Sequence, residues 1–467
     1  MYSNKIYLLI FSTWILLWFG LGTHINDIHN FHNYNFKDLN FLRSNILFFL
    51  FLFLLILFFF FNNKSAYLIY SLYPIFGFFG FLLSEYDNFY DGLHSFISLL
   101  VMVLMMNFIC NKHLDKKIIF HIFHYSMIFI LIAYYLYIIL PQFILSVSNL
   151  SPYLRGEFVT NIKLLNNLNL HIPQNSNGTS RITFVLFIFF LCLYFHRLKN
   201  KFTVKDIFFL IIIILLALIT IYYNSRLNIV MMICSIIFVF VSNKNYKNRL
   251  GILSFLLILI FPFYMNYNYQ KFVNKNYNYL IESRILGKLD GITSLFLKDL
   301  FINKTNKVSQ IYKDSETDLS KVCFTHDSSL DNFLSGRLCG WEIILQTYSH
   351  NFKFFGNGSF SDRKLLKKFQ KLSSNSFIFI LYNAGIFSFL TFCWFYLIIF
   401  FKTKNLLKME NLNKNQDPKI IFYIILSIYL LIRAIFEDTL AFINIDLLLM
   451  IIVISSFNYY NGKKGSQ

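Results

Sequence analysis

Apolar runs long enough to cross a bilayer recur along the whole chain, near residues 6–22, 44–61, 66–84, 92–110, 118–140, 182–196, 206–223, 227–242, 250–267, 375–399, 419–436 and 439–457. Twelve such runs predict an all-α polytopic membrane protein. Their connections are short with two exceptions, 141–181 and the polar stretch 268–374. The chain therefore divides into nine N-terminal spans within 1–267, one large loop at 268–374, and three C-terminal spans within 375–467. The first run follows Lys5 and extends from Ile6 to Gly22 with no small-residue cleavage site after it, so a retained first span is predicted.

Charge decides which face carries the long loop. With the N-terminus inside, the inner connections hold Lys64, then Lys112, Lys116 and Lys117, then Arg197, Lys199, Lys201 and Lys205, then Lys244, Lys247 and Arg249. Lys402, Lys404, Lys408, Lys414 and Lys419 follow in a later one, and Lys463 and Lys464 close the chain on the same side. The short outer connections are poor in basic residues, and the one bearing Glu85, Asp87 and Asp91 is acidic. This bias puts both termini in the cytoplasm and the loops 141–181 and 268–374 on the outer face. Much of the formal charge of +19 is accounted for in this way and is no sign of a nucleic-acid partner. A composition of 57% hydrophobic and 14% charged residues excludes a string of soluble domains.

Within the long loop, Arg284 to Phe301 carries apolar residues at helical spacing, and Gly340-Trp341 opens a second helical pattern through Tyr348. Lys364 to Leu372 sets leucines and Phe369 on one face and lysines on the other, as in a helix lying among headgroups. A small helical cap on the outer leaflet is predicted. Cys110, Cys192, Cys234 and Cys393 fall in or at the ends of apolar spans, whereas Cys323 and Cys339 share the outer loop, where their spacing permits a bridge in an oxidising compartment.

Arginines on the outer face run against the charge bias and are the main candidates for chemistry. Arg226 sits in a short turn between two spans, Arg433 lies in or at the outer end of the eleventh, and Arg155, Arg181 and Arg337 occupy the two outer loops. A guanidinium is a planar fork that binds phosphate oxygens bidentately and keeps its charge, so several together make a diphosphate site. The plainer alternatives are a solvated loop charge for Arg155 and Arg181, and for Arg226 and Arg433 snorkelling or pairing with Glu437 and Asp438. His350 is a candidate base or a surface histidine, and Glu437 is a proton acceptor or a hydrated helix end. No nucleotide-binding loop, zinc-protease or serine-hydrolase motif is present.

The order of these elements resembles the superfamily of O-antigen polymerases and O-antigen ligases of bacterial envelopes. The resemblance rests on Ser225-Arg226 before a span, then Gly336-Arg337, Trp341 and Gly356-Asn357-Gly358 in the loop. It continues with Asn375 and its downstream Gly385, where Ser374 occupies the family's histidine position, and with the arginine-bearing stretch Leu431 to Glu437. It implies a GT-C-like, metal-independent and cofactor-free glycosyltransferase of the bacterial inner membrane, with the large loop periplasmic. Its substrate would be an undecaprenyl-diphosphate-linked oligosaccharide, and its partners a flippase and a chain-length regulator. Arg226, Arg337 and Arg433 would stabilise the leaving diphosphate, while Asn375 would fix a sugar hydroxyl or cap a helix. Arg155, Arg181, Trp341, Ser374, Gly385, His350 and Glu437 would line the substrate site. A serine cannot take a proton at neutral pH as imidazole can, so a polymerase is expected ahead of a ligase. A lipid-linked-oligosaccharide flippase is the rival from a different class, although no repeat of two matching halves is visible.

Overall fold

The computed structural model describes residues 2–22, 48–58, 65–82, 89–148, 176–197, 203–223, 225–242, 249–277, 337–350, 352–358, 361–367, 375–412, 417–437, 440–441 and 444–464. Among these the regular elements are helices without exception. They are α1 (Tyr2–Gly22), α2 (Phe48–Phe58), α3 (Ala66–Leu82, opening as a 3-10 turn), α4 (Phe89–Ile109) and α5 (Lys116–Tyr134). A π turn over Tyr135–Ile139 leads into α6 (Leu140–Ser148), followed by α7 (Ser176–Arg197), α8 (Val204–Tyr222), α9 (Arg226–Ser242) and α10 (Arg249–Tyr277). The C-terminal part holds α11 (Arg337–His350), α12 (Ser361–Lys367), α13 (Ser376–Leu412), α14 (Pro418–Phe436) and α15 (Ile445–Lys464).

Seven helices among the described residues are long and apolar enough to cross a membrane, and five shorter apolar helices, α1 to α4 and α9, occupy the other predicted runs. α7, α14 and α15 are the most enclosed of the seven, while α8, α10 and α13 keep wide apolar faces on the outside of the bundle. That surface suits hydrocarbon and would be a liability in water. Capping fixes several starts. Asp115 accepts from Lys117 N and Ile118 N ahead of α5, and Thr203 with Asp206 forms a capping box on α8. Asp417 with Pro418 behind it opens α14.

Two boundaries differ from the sequence expectation for a visible reason. The last span begins at Ile445 rather than 439, because Asn444 Oδ1 accepts from Asp446 N at 2.8 Å and Leu447 N at 3.1 Å and so defines the cap. The tenth span, expected over 375–399, continues to Leu412, since no glycine or proline intervenes beyond the apolar run and Lys402 to Asn405 are compatible with a helix. The loop helix α11 starts at Arg337, earlier than the Gly340-Trp341 pattern suggested. The predicted helix over 284–301 lies outside the described residues.

α13 carries a sharp kink at Gly385 (φ 80°, ψ −177°). The turn 352–358 fills it, with Asn357 N donating to Tyr382 O and Gly358 N to Asn383 O, both at 2.9 Å. Those carbonyls have lost their helical partners at the break, so the turn restores what the kink removed. Asn383 binds the start of α12, taking Ser361 Oγ and Asp362 N on Oδ1 and giving Nδ2 to Asp362. The Gly356-Asn357-Gly358 and Gly385 elements are thereby two halves of one joint between loop and membrane helix.

Candidate functional site

One end of the bundle gathers buried charged side chains from several helices. α7, α9, α11, α13 and α15 begin there and α14 ends there, joined by the side-chain contacts that follow. Five helix N-termini at one place make it electropositive before any side chain is counted.

Four charged groups stand at its centre. Arg433, fully buried in the last turn of α14, donates Nε to Asp446 Oδ2 at 3.1 Å, Nη1 to the Tyr429 hydroxyl at 3.2 Å, and Nη2 to the Glu437 carboxylate one turn on. Asp446 Oδ2 also receives Arg181 Nη1 at 3.2 Å, and Arg181 Nη2 lies 4.0 Å from Glu437. Two guanidiniums and two carboxylates balance at a depth where a single charge would be costly. Their enclosure is uneven, with side-chain exposures of 0% for Arg433 and Asp446, 9% for Arg181 and 13% for Glu437. Among the described residues, Arg181 Nε and Asp446 Oδ1 are buried with no hydrogen-bond partner.

From this quartet a polar chain runs sideways. Tyr429 donates to Asn228 Oδ1 at 2.7 Å, and Asn228 Nδ2 donates to Ser180 Oγ at 2.9 Å, linking α14 to α9 and α7. Asn228 is fully buried in the first turn of α9, so it fixes the rotation of the helix whose first residue is Arg226. Arg337, at the start of α11, donates Nη1 to Phe436 O at 2.7 Å, which holds it one residue from Glu437. Arg226 lies near enough to Arg337 for the two like charges to act on each other.

The scaffold beneath is equally defined. Asn375 Oδ1 accepts from Phe377 N (2.9 Å) and Ile378 N (3.0 Å), while its Nδ2 donates to Ile435 O at 2.7 Å. Ser376 Oγ donates to Glu437 O at 2.9 Å. Asn375 therefore caps α13 and ties it to the end of α14, with both ends of its amide engaged.

Of the residues singled out from sequence, Arg181, Arg226, Arg337, Arg433, Glu437 and Asn375 meet at this end. Trp341 stands one turn beyond Arg337 on α11. His350 is exposed at the far end of the same helix, roughly 20 Å along it at 1.5 Å per residue. Gly385 is buried in the kink described above and serves the backbone. Arg155, Ser374 and Cys323 lie outside the described residues. Cys339 is disulfide-bonded, whereas Cys110, Cys192, Cys234 and Cys393 are free.

Asp446, Tyr429, Asn228 and Ser180 were not among the residues singled out. A signal for Tyr429 was present, because Tyr429, Arg433 and Glu437 recur every four residues and so share one face of a helix. A comparison with protein-family models and one with curated proteins find no match to this chain.

Proposed function

We propose that the protein is a membrane glycosyltransferase of the polymerase type, moving an undecaprenyl-diphosphate-linked glycan onto another lipid-linked repeat unit. The observation that carries this reading is the gathering of Arg181, Arg226, Arg337 and Arg433 at the meeting point of five helix N-termini. As a glycosidic bond to a diphosphate breaks, negative charge grows on the leaving group, and preorganised cations stabilise that growth more than they stabilise the ground state. Arg433 is spent on two carboxylates and a phenol, so its part is to hold the quartet, while Arg226 and Arg337 would stabilise the diphosphate.

Topology supports the same reading. The seven long apolar helices and five shorter ones match the twelve predicted spans in position, and twelve crossings return both termini to the cytoplasmic side. The arginine cluster then falls on the outer face, at the root of the loop 268–374, where the disulfide at Cys339 is at home in an oxidising compartment. The bacterial inner membrane, with this loop in the periplasm, fits both. The lipid tail would lie along the apolar faces of the bundle while its sugars enter beneath the loop, and a flippase and a chain-length regulator would act beside it.

Reconstitution in proteoliposomes with a lipid-linked repeat unit as sole substrate tests the proposal. Polymer is expected from the native protein, and Arg226→Gln is expected to reduce it by about 10²- to 10³-fold, the usual loss for one preorganised donor. Native-level polymer from Arg226→Gln protein would remove the diphosphate role.

A further inference from the structure

Glycosyl transfer also needs somewhere for the acceptor's proton to go, and the arginines cannot take it. The groups suggested by sequence do not serve. Ser374 has no basic atom at neutral pH, His350 stands roughly 20 Å along α11 from Arg337, and Asn375, whose amide caps α13 and ties it to Ile435 O, is not basic either. Among the described residues two carboxylates remain in the cluster. Asp446 is completely enclosed, and its Oδ2 is held by two guanidiniums. Of the two, Glu437 is the less enclosed, with a side-chain exposure of 13% against 0% for Asp446.

Its setting is that of a group held still for use. Glu437 N donates to Arg433 O at 2.6 Å, and Glu437 O accepts from Ser376 Oγ at 2.9 Å, so the backbone is pinned on both sides. Arg337 grips the carbonyl of the preceding residue, Phe436, and Arg226 is close to Arg337. Glu437 thus follows directly on the carbonyl that Arg337 holds, with Arg226 next to Arg337.

We infer that Glu437 accepts the proton of the acceptor hydroxyl during transfer. The inference rests on the polymerase reading. In the step, the acceptor oxygen forms its bond to the anomeric carbon as its O–H bond gives the proton to Glu437. The bond from that carbon to the diphosphate oxygen breaks, and the electron pair leaves with the lipid diphosphate. Water later removes the proton from Glu437. The charges match: with Arg181, Arg433, Glu437 and Asp446 ionised the quartet is neutral, and protonated Glu437 leaves it with one positive charge while the neighbouring diphosphate gains one negative. The charged and titratable groups facing Glu437 are Arg433 on its own helix, Arg181 from α7, Asp446 from α15 and Arg337 from α11, with Arg226 of α9 beyond.

The test measures polymer formation against pH in proteoliposomes, alongside binding of undecaprenyl diphosphate itself. Glu437→Gln is expected to lower kcat by about 10²-fold or more, the usual contribution of a positioned base, with KM and undecaprenyl diphosphate binding little changed. Native activity should fall as the pH drops, and this acid limb should vanish in the variant. Because Glu437→Gln also breaks two ion pairs and threatens folding, Glu437→Asp and formate rescue of Glu437→Ala are run beside it. Asp keeps the charge at a shorter reach, and added formate restores a proton acceptor without restoring the pinned side chain. Partial activity in Asp and recovery with formate support the assignment. Full activity with an intact acid limb in Glu437→Gln, beside an inactive Arg226→Gln, overturns the base and leaves the polymerase reading standing. Loss of the limb in Glu342→Gln instead, that side chain being on α11 with Arg337, also overturns it. If the native protein makes no polymer and Arg226→Gln binds undecaprenyl diphosphate as well as native protein does, the polymerase reading itself falls.

Discussion

Replacing Asp446 by alanine removes the carboxylate shared by Arg433 and Arg181, and the loss can be sized against two mechanisms. As a residue in the first turn of α15, Asp446 interacts favourably with the helix dipole, an effect of about 0.3–1 kcal/mol. As the counter-ion of Arg433 it does far more, because both side chains are fully buried and Arg181 is nearly so. Deleting one partner of a buried pair leaves an uncompensated charge and typically costs about 3–5 kcal/mol, or roughly 10²- to 10⁴-fold in the unfolding equilibrium. Glu437 remains and softens the loss, which favours the lower end of that range. Asp446→Asn keeps the shape and one acceptor oxygen but not the charge, and should fall between native and alanine. The assay is reversible denaturation in lipid bicelles, followed by intrinsic tryptophan fluorescence. A double-mutant cycle with Arg433→Leu should show coupling, since removing both partners leaves less unpaired charge than removing either; a coupling near 2 kcal/mol is expected, within the usual range for contacting residues. A loss below about 1 kcal/mol for Asp446→Ala, with no coupling, would mean that the dipole interaction is all there is and that the quartet does not organise this end of the bundle.

Other substitutions separate scaffold from chemistry. Asn375→Ala removes a cap and a tie to Ile435 O, so about 2 kcal/mol of stability should go, while polymer formed per folded molecule stays near native; a collapse of turnover with stability intact would instead put the amide on substrate. Gly385→Ala forces a side chain into φ 80°, a strain of about 1–3 kcal/mol, and its Cβ would come 2.0 Å from Phe354 O. The turn 352–358 should detach, seen as new protease cleavage there, and uncut protein with native unfolding would refute that joint. Ser374→Ala should cost less than tenfold in rate, the worth of about 1 kcal/mol for one hydrogen bond, and a larger loss in well-inserted protein would give the serine a role in transfer.

Sequence carried the helices well because hydrocarbon length and short connections leave little freedom: each predicted apolar run coincides with a helix. It carried the arginines as anomalies and the Arg433 to Glu437 pairing as an open alternative, since residues four apart on a helix must be neighbours. It did not carry Asp446. That residue follows Asn444 and looks like part of an ordinary polar helix start, and its meaning depends on Arg181 from α7, distant in sequence and adjacent only after packing. Asn228 was hidden in the same way, as one amide in an apolar run until Tyr429 and Ser180 close on it from two other helices. The pattern has a physical cause. Apolar spans are specified by composition, which is local, whereas a buried charge is tolerated only when another helix brings its partner, which is not local. Where arginines crowd an otherwise apolar chain, the carboxylates that neutralise them therefore fix how the helices meet. Here Arg433 and Asp446 join α14 to α15, with Glu437, Arg337 and Arg226 beside them.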